Sequence, residues 1–157
     1  MGTRHRQAVI SKRGSLKVQQ YGQWDGYPSG QGLDILKFLR TANLKKYQKN
    51  LTKVKQATKT QITEVEAVEN WPEVYPFLSR DCGSRIHQMI EEDKVPFVVH
   101  TPEDECVKWC EGFYTIDFKK GVFISEYYGR TKEYPLDKLP TDEEYLAAME
   151  PPDEDEE

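Results

Sequence analysis

The sequence contains no run of about 18 apolar residues, so it offers no candidate for a membrane-spanning helix. Its opening stretch MGTRHRQAVISKRG also lacks the apolar segment of a secretory signal. Arg6 stands where a myristoylation signal has Ser or Thr. We therefore expect a cytoplasmic protein with no membrane partner.

Cysteine is scarce as well, with only Cys82, Cys106 and Cys110 in 157 residues. Three cysteines without a disulfide-scaffold spacing indicate reduced thiols. A zinc site would have to combine all three with His100, and Cys106-x3-Cys110 is not the usual CxxC spacing. We predict neither a metal site nor a cofactor.

Charge is unevenly distributed along the chain, although the net charge is only −5. Residues 1–60 carry 13 Lys and Arg against two acids, a net charge of +11, and the remaining residues carry nine bases against 25 acids, a net charge of −16. Such a split indicates an anionic partner for the first part, or contact between the two parts.

The order of predicted elements indicates an α+β fold, with helices covering an antiparallel or mixed sheet. Two strands are predicted over 4–10 and 16–21, and a hairpin over 113–118 and 122–128. Helices are predicted from Leu33, from Leu44 and from an N-cap at Ser79, and TPEDE is interpreted as a loop.

The end of the chain is predicted to differ from the rest. A capping box at Thr141 and Glu144 begins a last short helix. The segment PPDEDEE is too charged and too rich in proline to fold alone. We expect one globular domain over 1–147 and an acidic disordered tail over 148–157.

The stretch YGQWDGYPSGQG, residues 21–32, joins the second strand to the first helix and is the predicted ligand site. Its glycines would let the backbone approach a ligand and direct helix N–H groups at an anion. Trp24 and Tyr27 offer stacking surfaces, whereas Gln23, Asp25 and Gln31 offer hydrogen bonds. The alternative is an ordinary turn with core aromatics.

Three distant segments supply candidate partners for this junction. Arg4 on the first strand and Arg80 beside Asp81 would bind an anion. Cys110 and Glu111 would add a thiol and an acid, and Asp25 with Glu111 is the best carboxylate pair for acid–base chemistry.

The stretches MGTR, YGQWDGYPSGQG, SRDCG and CE-x2-Y-x-ID resemble a family of small uncharacterised proteins from bacteria, phages and fungi. The resemblance implies that these motifs, Thr3 included, line one site, and it implies no activity. The order of elements is also similar to N-terminal-nucleophile hydrolases, which implies an αββα-like sandwich. The nucleophile of those enzymes is not matched, because loss of Met1 would expose Gly2.

Three functions follow as hypotheses. The first is a cytosolic domain that binds a small polar or anionic ligand, with nucleotides as one class, at the glycine-rich junction. The second is a hydrolase or transferase that uses Asp25, Glu111 or Cys110. The third is an interaction protein whose lysine-rich helix (Lys45, Lys46, Lys49 and Lys53) contacts nucleic acid, or whose acidic tail engages a basic partner. Whether the protein is an enzyme, and its oligomeric state, do not follow from the sequence.

Overall fold

A five-stranded mixed sheet with helices packed on it forms the centre of the protein. The computed structural model describes residues 2–150. The strands are β1 (His5–Ile10), β2 (Leu16–Gly22), β5 (Gly112–Asp117), β6 (Val122–Tyr127) and β7 (Arg130–Pro135), in the order β2-β1-β5-β6-β7. Within this sheet β1 and β5 pair in parallel, and the other neighbouring strands pair antiparallel. The predicted α+β class and mixed sheet are confirmed.

Residues 2–150 also contain seven α-helices. They are α1 (Leu33–Thr41), α2 (Leu44–Leu51), α3 (Lys59–Glu66), α4 (Trp71–Val74), α5 (Arg85–Glu91), α6 (Glu103–Trp109) and α7 (Asp142–Met149). A π-helical turn, Pro28–Gly32, precedes α1, and a 3-10 turn, Pro76–Leu78, follows α4. The short strands β3 (Lys55–Gln56) and β4 (Phe97–Val98) pair separately. Residues 2–150 therefore contain one large sheet, and the αββα sandwich is not formed.

The core lies between the sheet and the helices α1, α2, α5 and α7. Because side chains alternate along a strand, His5, Gln7 and Val9 of β1 point to the same face. All three are buried, and Val9 joins Ile35 and Leu36 of α1 in the apolar core. Burial of one such aliphatic side chain stabilises the fold by about 1.5–3 kcal/mol.

The predicted start of one helix and one predicted loop are wrong. No helix begins at Ser79, because residues 79–84 form turns in which Gly83 has a φ of +56°, and α5 starts only at Arg85. The predicted TPEDE loop is in fact the start of α6, whose first turn holds Glu103, Asp104 and Glu105. Carboxylates there interact favourably with the positive end of the helix dipole.

The helix α7 extends beyond position 147, the predicted end of the folded domain. Its capping box at Thr141 and Glu144 is confirmed, and it ends at Met149, which is only 2% exposed. Positions 148 and 149 therefore belong to the folded part. The rest of the predicted tail, 151–157, lies outside the described residues. None of the helices in residues 2–150 has the length and apolar character needed to cross a bilayer.

Candidate ligand-binding site at one edge of the sheet

The four segments that carry the sequence motifs meet at one edge of the five-stranded sheet. The N–H of Gly26 donates to the carbonyl of Thr3 (2.9 Å), and the N–H of Gln23 donates to the carbonyl of Arg80 (3.0 Å). The N–H of Glu111 donates to the carbonyl of Arg4 (3.0 Å). We call this group the edge cluster; it comprises Thr3, Arg4, Gln23, Trp24, Asp25, Tyr27, Gln31, Arg80, Asp81, Cys110 and Glu111.

Arg4 and Glu111 hold the starts of β1 and β5 together. The backbone N–H of Arg4 donates to Glu111 Oε2 (2.8 Å), and its guanidinium donates to Oε1 (2.9 Å). Burial acts to raise the pKa of Glu111, but these hydrogen bonds and the positive charge hold it below its ordinary value. The charge of Arg4 is thus already balanced, so this pair fastens the edge cluster together.

Trp24 lies beside Asp81 in a fixed orientation. Its indole Nε1–H donates to Asp81 Oδ1 (2.8 Å), and its ring packs against Gly2. Nevertheless 49% of the residue is exposed. A large aromatic ring that is held in place and half open to solvent is the kind of surface that stacks on a ligand.

The amide of Gln31 is used inside the protein. Its Nε2 donates to the carbonyl of Trp24 (3.2 Å), and its Oε1 accepts from the N–H of Ser84 (2.8 Å). The side chain of Gln23 is less constrained, since its Oε1 accepts only a long hydrogen bond of 3.5 Å from the Tyr21 hydroxyl. Of the two glutamines that we expected to contact ligand, only Gln23 is available to do so.

The glycines of the junction pack against protein, and this corrects the interpretation of the stretch as an open anion cradle. A methyl group in place of the Gly22 hydrogen would collide with the His5 imidazole, and one on Gly32 would collide with the Tyr145 hydroxyl. The carbonyl of Gly26 accepts from the buried Tyr114 hydroxyl (2.6 Å). The spacing of glycines therefore reflects tight packing below the edge cluster.

The solvent side of the edge cluster carries Asp25, Tyr27 and Arg80. Asp25 has a φ of +56°, and its Oδ1 accepts from the Tyr27 hydroxyl (3.0 Å). This hydrogen bond raises the pKa of Tyr27. Arg80 is exposed and, within residues 2–150, forms no ion pair. It is the accessible cation of the edge cluster.

Cys110 is not prepared to act as a nucleophile. Burial, with the negative charges that Cys106 and Glu111 would contribute, raises its pKa to about 12. His100 does not face it, since its Nε2 lies 2.7 Å from Gln56 Nε2 and 3.1 Å from the Lys17 carbonyl oxygen. In the described part of the chain, no group of three His, Cys, Asp or Glu residues is placed to hold a metal.

A buried chain of polar side chains beneath the edge cluster was not predicted. Tyr47 Oη lies 2.8 Å from His87 Nδ1, and His87 Nε2 lies 2.8 Å from Gln7 Oε1. Gln7 Nε2 lies 3.2 Å from His5 Nδ1. Burial lowers the pKa of His5 to about 4 and that of His87 to about 3. The alternation of His5 and Gln7 with Val9 is the signal that places them on the core face.

Comparison with protein-family models, with curated proteins and with solved structures finds no match for this chain. The resemblance carried by the four motifs therefore stays a prediction. The structure adds the geometry of those motifs, since the segments that contain them are joined by backbone hydrogen bonds.

Proposed function

We propose that the edge cluster binds a small polar or anionic ligand on its solvent side, and that nucleotide-like compounds are one class that it accepts. The observation that carries the proposal is the pairing of a fixed, half-exposed indole at Trp24 with an accessible cation at Arg80. The backbones that bear them run side by side, joined through Gln23 and Arg80. A planar ring would stack on Trp24 while an anionic group reaches Arg80.

The remaining polar groups supply the edge contacts that such a ligand needs. The carboxylate of Asp25 and the side-chain amide of Gln23 lie on either side of Trp24 in the sequence. Asp81 positions the indole through its hydrogen bond and so contributes indirectly. Since Arg4 is occupied by Glu111, Arg80 carries the charge recognition.

The same contacts favour binding over catalysis. Glu111 accepts two hydrogen bonds from Arg4, and Cys110 stays a thiol at neutral pH. A hydrolase or transferase that uses Asp25, Glu111 or Cys110 would need a prepared nucleophile or base, and among these groups Asp25 is exposed whereas Cys110 and Glu111 are partly buried. The free state of Cys82, Cys106 and Cys110 is that expected in a reducing compartment, which supports a cytoplasmic location.

Calorimetric titration with AMP, GMP, CMP, UMP, ribose 5-phosphate and inorganic phosphate tests this proposal. Arg80→Ala should weaken binding of the nucleotides at least about tenfold, because a charge-assisted hydrogen bond contributes about 1.5–3 kcal/mol. Lys132→Ala is the charge-matched control, since Lys132 is an exposed cation of β7 that lies outside the edge cluster. Equal affinity of wild type and Arg80→Ala for every compound would refute the proposal.

A further inference from the structure

A groove with strong positive charge lies between the turn that joins β1 to β2 and the helix α2. Its volume is about 620 Å³. Lys12, Arg13 and Lys17 line it from the hairpin, and Lys49 lines it from α2. We call it the basic groove. It lies beside the other end of the β1–β2 pair from the edge cluster, because Ile10 pairs with Leu16 near the turn and His5 pairs with Gly22.

Within residues 2–150, no acidic group compensates the charge of the basic groove. No acidic side chain lines it, and none of its four cations forms an ion pair in the part of the chain that the structure describes. Lys55 adds to the field, since partial burial and the nearby Lys55 charge lower the pKa of Lys17. Four like charges around one recess repel each other and attract a polyanion.

Neutral hydrogen-bonding side chains lie beside these cations. Ser15 stands in the hairpin turn, and Gln48 stands on α2, where one of its two amide hydrogens is donated to the Leu44 carbonyl (3.3 Å) and the other is left for a ligand. Hydroxyl and amide groups beside Lys and Arg are the side chains that bind phosphate and sugar oxygens in nucleic-acid complexes. No aromatic side chain lines the basic groove, so stacking on bases does not contribute there.

We propose that the basic groove binds the phosphate backbone of a nucleic acid without regard to base sequence. A membrane surface fits less well, because Leu51, the apolar residue that lines the groove within residues 2–150, is 1% exposed and cannot insert into lipid. This nucleic-acid contact differs from the one predicted from the sequence, which lay on the outer lysine face of α2. The basic groove includes Lys49 but not Lys45 or Lys46.

Fluorescence anisotropy with labelled oligonucleotides of about 20 residues, duplex and single-stranded, DNA and RNA, measures the binding between 50 and 200 mM salt. If four phosphates are neutralised on a duplex, the logarithm of affinity falls against the logarithm of salt with a slope of about −3.6, which is a loss of roughly 10²-fold over this range. A change of base sequence at constant length should alter the affinity less than about threefold.

Two double variants with the same change of net charge distinguish binding in the basic groove from general electrostatic attraction to the protein. Lys12→Gln/Arg13→Gln removes two groove cations, whereas Lys45→Gln/Lys46→Gln removes two exposed cations of α2 outside it. Each neutralised phosphate contributes about a factor of 8 at 0.1 M salt. The groove variant should therefore lose affinity roughly 60-fold, and the slope of its salt dependence should be smaller in magnitude by about 1.8. Lys45→Gln/Lys46→Gln should lose far less affinity.

Two outcomes would overturn the proposal. Equal losses in the two double variants would show that the recess has no special role. Tighter binding to polyglutamate or to phosphatidylserine vesicles than to the oligonucleotides would assign the charge to another partner. Circular dichroism of each variant confirms the fold, and both pairs of substituted side chains are exposed, so the comparison does not depend on stability.

Discussion

The buried pair His5 and His87 should make the protein lose stability steeply between pH 6.5 and pH 5. In the unfolded chain a histidine has a pKa of about 6.5. In the folded protein burial lowers the pKa to about 4 for His5 and about 3 for His87. Over this pH range the unfolded state therefore binds more protons than the folded state, and the free energy of unfolding falls as the pH falls.

The magnitude follows from the same values. Each unit of difference in pKa corresponds to about 1.4 kcal/mol. At pH 5 each histidine is charged in the unfolded chain and neutral in the folded protein, which removes about 2 kcal/mol per histidine, or about 4 kcal/mol in all, relative to pH 7.5. That loss is large beside a total stability of about 5–15 kcal/mol.

Urea unfolding followed by circular dichroism at pH 5, 5.5, 6, 7 and 8 measures the effect. Between pH 6 and pH 5 the slope should average about 2.4 kcal/mol per pH unit, and His87→Gln should reduce it to about 1.2, because one proton fewer is taken up. Ile90→Val is the control, since it lowers stability by about 1 kcal/mol without removing a titrating group. A pH-independent stability, or a full slope in His87→Gln, would refute the assignment.

Three further perturbations test the contacts around the edge cluster. Glu111→Gln removes the charge from the pair with Arg4, and we expect urea unfolding to show a loss of about 1–3 kcal/mol; unchanged stability would mean that the pair does not fasten β1 to β5. Gly22→Ala places a methyl group against His5 and should lower stability by about 1–3 kcal/mol, whereas a wild-type melting temperature would argue against the tight packing. Cys110, with a pKa near 12, should react with iodoacetamide at pH 7.5 roughly 10²-fold more slowly than glutathione; rapid alkylation, located by peptide mass spectrometry, would contradict its protonated state.

The regular elements with a clear period or cap were predictable from the sequence. The strands β1 and β2, the hairpin of β5 and β6, and the capping box at Thr141 have local signals that the structure confirms. β7 was missed because five of its six residues are exposed, so it has no apolar alternation. The acidic residues in the first turn of α6 are as polar as those of a loop. Carboxylates at this position also interact favourably with the helix dipole, so their polarity does not distinguish a helix start from a loop.

The edge cluster was predictable in membership but not in its internal contacts. The motifs predicted that these segments lie together, and backbone hydrogen bonds join them. The pairing of Arg4 with Glu111 depends on β1 lying beside β5 in the sheet, which no local pattern specifies. The contact of Trp24 with Asp81 joins residues 57 positions apart. Likewise the contact between His87 and Gln7 joins residues 80 positions apart. Long-range pairings of this kind are decided by tertiary packing.

The indole N–H signals in an ¹H–¹⁵N correlation spectrum give the most direct test of the proposed ligand site. Trp24, Trp71 and Trp109 each contribute one signal, and single Trp→Phe variants assign them. On addition of AMP or another compound of the panel, the Trp24 signal should shift progressively and saturate, because its Nε1–H bonds to Asp81 beside Arg80. The Trp71 signal should stay in place. A Trp24 signal that does not move with any compound at millimolar concentration would contradict the account.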